Sequence, residues 1–532
     1  MAHLLPLHTT RSGRTWCVVL IALAAALASA VLFWLAFPGQ ERWYFAYIYL
    51  VPMLVVVVFA DTLVTCLMFV LAAAVSGGMC CLWLLTIPTG SAAMRGLSCA
   101  ALWHGLFALL PALAIHRAYH RLHVPMTVAA PLAIAASEYC EVIMPTVAPW
   151  VPLGLSSYRC TTMIQVADLA GVYGVSFVIA MVNGLLVDVA LLAYERTSEG
   201  RRLRYVGVGA GILILLCVAL YGRSRLAAGE QRAVTGPIVA AVKARYGSFW
   251  SEHVSTIGEA LSARAEVVLL PEGASDVPLN SEFRDSASAL ARISAARGTL
   301  LQALSAASGS VIVTGASSQE KDKRYNSAFI YLPRQTVPLR YDKVRLVPFG
   351  EYIPLVDYGG VVISRLFGLS TRRCNQVVPG KSEGCPYAVE LGSGRTFAVA
   401  VPICFEDCWP GRIRQLVFDR SKQRKADVVL SLTSDGSLKA QSEWLQHLAH
   451  SVLRAVEQRV AFARANTSLA AIISPEGIIL SQSAADLTSR DIVMARVPLE
   501  PRYTFYGRTG DWFSITCMLL SGVLMLWPIR DA

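Results

Sequence analysis

Long apolar runs constrain the fold of this 532-residue chain more than any other feature. Seven runs lie within residues 1–222, and each is long enough, or nearly so, to cross about 30 Å of hydrocarbon. They are 17–37, 45–60, 62–85, 96–115, 126–144, 172–193 and 205–221, and an eighth run lies at 512–527. A hydrophobic fraction of 55%, a charged fraction of 16% and a mean hydropathy of +0.50 also indicate a membrane protein.

Charged residues recur every few positions between residues 223 and 508, as in a globular domain. We therefore predict a membrane domain of seven transmembrane helices at 1–222, a globular domain at 223–508 and a C-terminal transmembrane helix at 509–532. The first apolar run follows basic residues, as in a signal peptide, but it is too long for one and further runs come directly after it. We expect it to be retained as the first of eight spans.

Lys and Arg residues in the short loops predict the orientation of the chain. Alternate loops differ strongly in their basic residues. The richer set carries Arg11, Arg14, Arg117, Arg121, Arg196, Arg201, Arg202 and Arg204, and the poorer set carries Arg42, Arg95 and Arg159. The richer set should face the cytoplasm, and with eight spans the globular domain then lies outside the cytoplasm.

Charge and cysteine usage exclude several classes of function. The net charge of +11 is explained by the cytoplasmic loops, which would lie against anionic lipid head groups, so we expect no nucleic-acid partner. None of the thirteen cysteines has CxxC or Cys/His zinc spacing, and we expect neither a metal nor a cofactor. An oxidising compartment would permit a disulfide between Cys374 and Cys385, although the sequence leaves that pairing open.

The globular part alternates short β-rich runs with helical ones, which favours a layered α/β architecture. After Leu438 the apolar residues have helical spacing and predict a long helix toward Arg464 that covers one sheet face. The predicted strands are 237–242, 267–270, 310–314, 327–331, 397–401, 428–432, 470–473 and 492–497.

Three segments each place a reactive side chain directly after an apolar strand or turn. Glu272 follows the run Leu-Leu-Pro, Lys343 follows Tyr-Asp, and Cys404 follows Val-Pro-Ile. Together they offer a base, a cation and a thiol. Each has an ordinary explanation when taken alone: a turn residue, a surface ion pair worth under about 1 kcal/mol, and a buried structural thiol.

The order and local contexts of these segments resemble the nitrilase, or carbon–nitrogen hydrolase, superfamily. The resemblance implies a catalytic triad of Glu272, Lys343 and Cys404 in a four-layer α-β-β-α sandwich. It also implies supporting roles for Glu351, which would help to orient the site, and for Glu406, two residues beyond the nucleophile.

Within that superfamily the chain is similar to the membrane-embedded apolipoprotein N-acyltransferase branch. Four further segments carry this similarity, namely 149–150, 165–177, 325–327 and 505–512. The resemblance implies transfer of a fatty acyl group from a phospholipid to the α-amine of a diacylglyceryl-cysteine lipoprotein, through a thioester on Cys404. The partners would be the phospholipid, the lipoprotein and the bilayer. The location would be the bacterial inner membrane, with a periplasmic or otherwise extracytoplasmic catalytic domain.

One stretch departs from the pattern of that branch. Residues 433–438 read Thr-Ser-Asp-Gly-Ser-Leu, where the branch usually carries Asn-Asp-Ala-Trp-Phe-Gly. The loss of two aromatic residues favours an alternative, a membrane-bound nitrilase-type amidase or acyltransferase with a different substrate, such as the nitrilase-like proteins encoded with conjugation systems. A non-catalytic scaffold or transporter is a third reading, and the presence of all three triad residues argues against it.

Overall fold

The structure is a computed structural model that describes residues 11–87, 90–144, 149–194, 197–232, 234–284, 288–348, 350–352, 377–381, 385–419 and 421–527. The described residues before 233 and after 504 are helical, and those between are built on two β-sheets with their covering helices. The helices at the ends are Arg11–Ala36, Val51–Phe59, Thr62–Cys80, Gly90–Phe107, Leu109–Leu122, Met126–Ile143, Thr161–Ile164, Ala167–Ala170, Val172–Leu192, Ser198–Arg232, Phe505–Thr509 and Trp512–Leu526.

Six helical segments among the described residues are long and apolar enough to cross a membrane. They are Trp16–Ala36, Thr62–Cys80, Ala93–Leu122, Met126–Ile143, Val172–Leu192 and Ser198–Gly229. Two shorter apolar segments, Trp43–Phe59 and Trp512–Leu526, coincide with the other two predicted spans. The chain is thus a multi-pass helical membrane protein, and six of the eight predicted spans have the full length of a crossing helix.

Proline explains why the second apolar segment is broken. Pro52 lies in the first turn of the Val51–Phe59 helix, where its missing N–H costs nothing, and a separate 3₁₀ helix, Trp43–Tyr47, precedes it. Asn183 in the neighbouring helix donates to the carbonyl of Ala46 at 2.9 Å and accepts from the amide of Leu50 at 2.8 Å. A buried side chain therefore satisfies the backbone groups that the break leaves free.

Small residues let the membrane helices approach closely. The Met126–Ile143 helix packs against Val172–Leu192, and a Cβ added at Gly184 would lie only 2.2 Å from the carbonyl oxygen of Met126. Near the same crossing Asp188 accepts hydrogen bonds from the amide and hydroxyl of Thr127. The packing therefore depends on a small residue at the contact and a satisfied carboxylate beside it.

The described residues in the middle of the chain form two six-stranded sheets. The strands are β1 Val234–Lys243, β2 Val267–Leu269, β3 Val311–Glu320, β4 Lys323–Tyr331, β5 Leu339–Asp342, β6 Tyr387–Glu390, β7 Thr396–Ala400, β8 Val428–Leu432, β9 Ala461–Ala465, β10 Ala471–Ile473, β11 Ile479–Gln482 and β12 Asp491–Leu499. The strand orders are β12-β1-β2-β3-β4-β5 and β11-β10-β9-β8-β7-β6. The three neighbours β1, β2 and β3 are parallel in the first sheet, and β7, β8 and β9 are parallel in the second.

The two sheets face each other and helices cover their outer faces. Along β1, Val239 and Ala241 face the second sheet, whereas Ala240 and Val242 pack under the helices, as the two-residue period of a strand requires. The outer helices are Trp250–Ser262, Ser281–Arg284 and Ala289–Ser308 on the first sheet, and Pro410–Val417 and Gln441–Gln458 on the second. This is the predicted nitrilase-like α-β-β-α sandwich.

Candidate active site

Glu272 lies on the loop after β2, between the two sheets. Its amide donates to the carbonyl oxygen of Thr433, directly after β8 of the second sheet, at 3.3 Å. Behind the loop, Gly315 comes so close that a Cβ there would lie 2.6 Å from the Cα of Glu272. The carboxylate of Glu272 accepts a 2.6 Å hydrogen bond from the Nδ2 of Asn326. The backbone and side chain of Glu272 are therefore held from three sides.

Lys343, directly after β5, is 1% exposed and lies between two carboxylates. Its Nζ is 3.3 Å from an oxygen of Glu272 and 3.0 Å from one of Glu351. Burial would lower the pKa of Lys343, but the negative charges of Glu272, Cys404 and Glu351 raise it above its usual range. The side chain is therefore a fixed ammonium ion.

Asn326 on β4 joins the same two carboxylates. Its Nδ2 donates to Glu272 at 2.6 Å and to Glu351 at 2.8 Å, and its backbone carbonyl accepts from the amide of Lys343 at 2.8 Å. The other oxygen of Glu351 accepts from the amide of Val347 at 2.7 Å. Glu351 thus lies against Lys343, and its supporting role in orienting the site stays a prediction. Asn326 was not predicted as a site residue.

Cys404 begins the 3₁₀ helix Cys404–Cys408 that follows β7. Its φ of +51° lies in the left-handed region, which costs a residue with a Cβ about 1 kcal/mol or more. Burial raises the pKa of the thiol, the charge of Glu272 raises it further, and Lys343 opposes both. A thiol of this kind is protonated at neutral pH and needs a base before it can act as a nucleophile.

Glu406 lies within this turn and is fully buried. Its carboxylate accepts hydrogen bonds from five groups that belong to two separate segments of the chain. The donors are the Tyr341 hydroxyl, the Nε of Arg412 and the amides of Val344, Arg345 and Ile403, at 2.7–3.2 Å. Glu406 therefore ties the loop after Lys343 to the turn that carries Cys404.

Replacing Glu406 with glutamine should destabilise the catalytic domain. The change leaves the buried guanidinium of Arg412 without its carboxylate partner, which costs about 3 kcal/mol and lowers Tm by roughly 6 °C or more. Thermal unfolding of the purified protein in detergent measures this. Asp276→Asn is the matched control, because Asp276 is 77% exposed and its ion pair is worth under about 1 kcal/mol. Equal Tm values for the two variants would contradict the role of Glu406.

A second buried network contacts the backbone carbonyl of Cys404 and is centred on Asp435, which belongs to the stretch 433–438 that departs from the usual pattern. Asp435 forms an ion pair with Arg464 and accepts a 2.7 Å hydrogen bond from the Nδ2 of Asn466. The Nδ1 of His447 lies 3.0 Å from the same carboxylate. The sequence did not single out His447, because it sits within an apolar helical pattern and its partners are distant in the chain.

This network contains a group with the composition of a metal site. Ligand atoms of Asp435, Glu443 and His447 lie within 4.8 Å of one another. The guanidinium of Arg464, however, already occupies one oxygen of Asp435 and would repel a cation beside it. The arrangement is therefore that of a buried ion-pair network.

The helix Gln441–Gln458 also joins the catalytic domain to the membrane domain. The side-chain oxygen of Gln446 accepts from the indole N–H groups of Trp83 at 3.1 Å and Trp150 at 2.7 Å. Its amide nitrogen donates to the carbonyl of Cys80 at 2.9 Å. The helix that carries His447 is thus bonded to residues at or just beyond the ends of the apolar helices.

The predicted disulfide between Cys374 and Cys385 falls partly outside the described residues, because Cys374 is not among them. The pairing stays a prediction. The other predicted site residues are all described, and the structure brings Glu272, Lys343 and Glu351 into one cluster beside Cys404. Glu406 accepts from the amide of Ile403, the residue before Cys404.

Comparisons with known proteins identify the family of both parts of the chain. Residues 29–185 match the apolipoprotein N-acyltransferase N-terminal domain, and residues 232–504 match the carbon-nitrogen hydrolase family. The apolipoprotein N-acyltransferase of Geobacter metallireducens is 29% identical over 429 residues, which are 76% of this chain and 75% of that protein. Apolipoprotein N-acyltransferase 2 of Treponema denticola is 25% identical over 403 residues, 70% and 71% of the two chains. Because the second family model covers more than half of the sequence, the chain belongs to the carbon–nitrogen hydrolase family, in its apolipoprotein N-acyltransferase branch.

Proposed function

We propose that this protein is an apolipoprotein N-acyltransferase, which moves a fatty acyl group from a phospholipid to the α-amine of a diacylglyceryl-cysteine lipoprotein. One observation carries the proposal: Cys404 and the Glu272–Lys343 ion pair lie in a domain whose helix Gln441–Gln458 rests on the membrane domain. Both substrates are anchored in the membrane, so a nucleophile at this position can meet each of them. The relatives' names agree with this activity.

The first half-reaction loads the enzyme. Glu272 accepts the thiol proton of Cys404 as the sulfur attacks the ester carbonyl of the phospholipid. The Lys343 ammonium stabilises the oxyanion, and so does the amide of Phe405, because the first amides of a helix have no intrahelical acceptor. When the intermediate collapses, the C–O bond breaks and Glu272 returns the proton to the lysophospholipid oxygen. A thioester on Cys404 remains.

In the second half-reaction the same groups transfer the acyl chain from Cys404 to the amine. The neutral α-amine attacks the thioester carbonyl, and Glu272 accepts the proton that the nitrogen loses. The C–S bond breaks, the thiolate of Cys404 leaves beside Lys343, and Glu272 returns the proton to the sulfur. The products are the N-acylated lipoprotein and the free enzyme.

Replacing Glu272 with glutamine should slow thioester formation by at least about a hundredfold, because the shape stays and the base is lost. Mass spectrometry of the intact protein after rapid mixing with phospholipid measures the rate. Glu259→Gln is the matched control, since Glu259 is 49% exposed on an outer helix and should keep the parent rate. A parent rate in Glu272→Gln would remove this residue from the mechanism.

We propose that the chain crosses the bacterial inner membrane eight times, with seven spans in 1–222, the catalytic domain in 223–508 and the last span in 509–532. This requires Trp43–Phe59 and Trp512–Leu526 to cross in addition to the six longer segments. The count decides the orientation: seven spans ahead of the catalytic domain place it opposite the N-terminus, whereas six would place it on the same side. The basic loops support a cytoplasmic N-terminus and an extracytoplasmic catalytic domain.

Reporter fusions test that orientation. A periplasmic reporter such as alkaline phosphatase should be active when fused after Arg223 and inactive after Arg121, because these positions follow the apolar runs 205–221 and 96–115 of the seventh and fourth proposed spans. A cytoplasmic reporter at the same two positions is the control and should give the reverse pattern. Cytoplasmic activity of the fusion after Arg223 would contradict the proposed crossing of Trp43–Phe59.

A second candidate function rests on the stretch 433–438. Thr433 in this stretch accepts a 3.3 Å hydrogen bond from the amide of Glu272 through its backbone carbonyl, so the altered residues adjoin the site. A membrane-bound amidase or acyltransferase acting on a different substrate would use the same triad, and the altered residues 433–438 beside it would accommodate that substrate.

Complementation distinguishes the two functions. The gene should sustain a strain depleted of its own N-acyltransferase, and mass spectrometry should find N-acylated lipoprotein N-termini. A Cys404→Ala copy is the control and should leave diacylated N-termini. If the intact protein is expressed in the membrane and the N-termini stay diacylated, the amidase or other acyltransferase reading replaces the proposal.

A further inference from the structure

His447 contacts the backbone of the proposed nucleophile. Its Nε2 lies 3.3 Å from the carbonyl oxygen of Cys404, and its Nδ1 lies 3.0 and 3.1 Å from the two oxygens of Asp435. The ring is 1% exposed, and the indole of Trp150 from the membrane domain lies against it with ring centroids 5.8 Å apart. The histidine is thus fixed between Asp435 and the turn that carries Cys404.

Both ring nitrogens of His447 face hydrogen-bond acceptors. A backbone carbonyl can only accept, so the hydrogen bond to Cys404 is one that Nε2 donates, while Nδ1 faces the carboxylate of Asp435. Burial alone would raise the pKa of Asp435, but His447, Arg464 and the hydrogen bonds around it bring the pKa below its usual range. Asp435 is therefore ionised, and it fixes the orientation of the imidazole ring.

The Cys404 carbonyl that His447 contacts belongs to the peptide unit whose N–H is that of Phe405. A hydrogen bond to one end of a peptide polarises the other end, so it strengthens the donor that Phe405 offers. The same bond restrains Cys404 in its left-handed conformation, with φ of +51°. One contact thus acts on both the position of the thiol and the strength of the oxyanion donor.

We propose that His447, oriented by Asp435, is a positioning residue for the nucleophile: its hydrogen bond to the Cys404 carbonyl holds the turn and strengthens the neighbouring amide. The proposal rests on the proposed function for its catalytic consequence, while the effect on Cys404 itself does not depend on the substrate. His447 does not touch the reacting atoms and acts through the peptide that it binds.

Two substitutions at His447 separate hydrogen bonding from packing. His447→Leu keeps a side chain of similar bulk but loses the donor. The side-chain amide of His447→Gln can still donate to the Cys404 carbonyl. We expect thioester formation to fall by roughly ten- to a hundredfold in the leucine variant, the scale expected when a reacting group is slightly misplaced, and by clearly less in the glutamine variant. Iodoacetamide labelling of Cys404, followed by peptide mapping, should show the same order of rates.

His450→Gln is the matched control. His450 lies on the same helix, is equally buried and also lies against Trp150, with ring centroids 5.6 Å apart. Within the described part of the chain it makes no hydrogen bond to Cys404 or Asp435, so its variant should keep the parent rate of Cys404 labelling.

The labelling assay keeps the proposal testable if the proposed function fails. A parent protein that labels at Cys404 but transfers no acyl group would reject the function, and the three variants would still rank by their labelling rates. Two outcomes would overturn the role of His447: equal rates in His447→Leu and the parent protein, or a glutamine variant as slow as the leucine variant. Tm values are measured alongside, and His447→Gln with a parent Tm decides the comparison if the leucine variant unfolds.

Discussion

Cys404→Ala is expected to abolish both half-reactions together, with release of lysophospholipid and transfer to the lipoprotein each falling by at least about a thousandfold. The sulfur forms the bond to the acyl group in the first step, and that bond breaks in the second. Without the sulfur, Glu272 and Lys343 provide no other route for the acyl group. Lysophospholipid release from labelled phospholipid and acylation of a lipoprotein peptide are measured separately on the purified variant.

The matched control for this change is Cys408→Ala. Cys408 ends the same 3₁₀ helix, is 1% exposed and is buried more deeply than Cys404, so its loss should affect packing and leave the chemistry in place. Both half-reactions should continue in the control. A loss of activity in Cys408→Ala with retention in Cys404→Ala would assign the nucleophile to the other thiol.

Lys343→Met should slow thioester formation by about a thousandfold or more. The ammonium stabilises the thiolate and the oxyanion in both steps, and its removal also leaves the carboxylates of Glu272 and Glu351 facing each other without the cation between them. Rapid mixing with phospholipid and intact-mass detection of the thioester give the rate, and circular dichroism reports whether the domain has folded.

Another buried lysine provides the control for the loss of a charged group. Lys243 is fully buried and bonded to Asp486 and Ser489, each at 2.7 Å, away from the triad carboxylates. Lys243→Met should lower Tm by a similar amount to Lys343→Met and retain far more activity. Equal losses of activity in the two variants would mean that Lys343 acts through stability alone.

The sequence predicted the parts of the fold that depend on local pattern. All eight predicted strands are present, because each is a short run rich in branched apolar residues. The structure adds β5, β6, β9 and β11, which have few such residues or alternate polar ones. The predicted long helix was wrong at its end: it stops at Gln458, because Arg459 adopts φ of +50°, and the next residues form β9.

The residues of the candidate site also differ in whether local sequence could predict them. Glu272, Lys343 and Cys404 could be predicted because each follows a strand in a recognisable local context. Asn326 and His447 could not, because their significance lies in contacts across 54 and 43 residues of sequence. Whether a side chain positions a site depends on how separate elements pack in space. The sequence of one chain does not show which residues far apart along it come into contact.

The central claim is that the acyl group passes through a thioester on Cys404, and one measurement tests it directly. The purified protein is incubated with a phospholipid that carries a labelled acyl chain, in the absence of any lipoprotein acceptor, and the modified peptide is mapped by mass spectrometry. We expect the label on Cys404, sensitive to hydroxylamine and lost when an acceptor peptide is added. A label on Cys408, or acyl transfer that proceeds without any covalent intermediate, would contradict the mechanism.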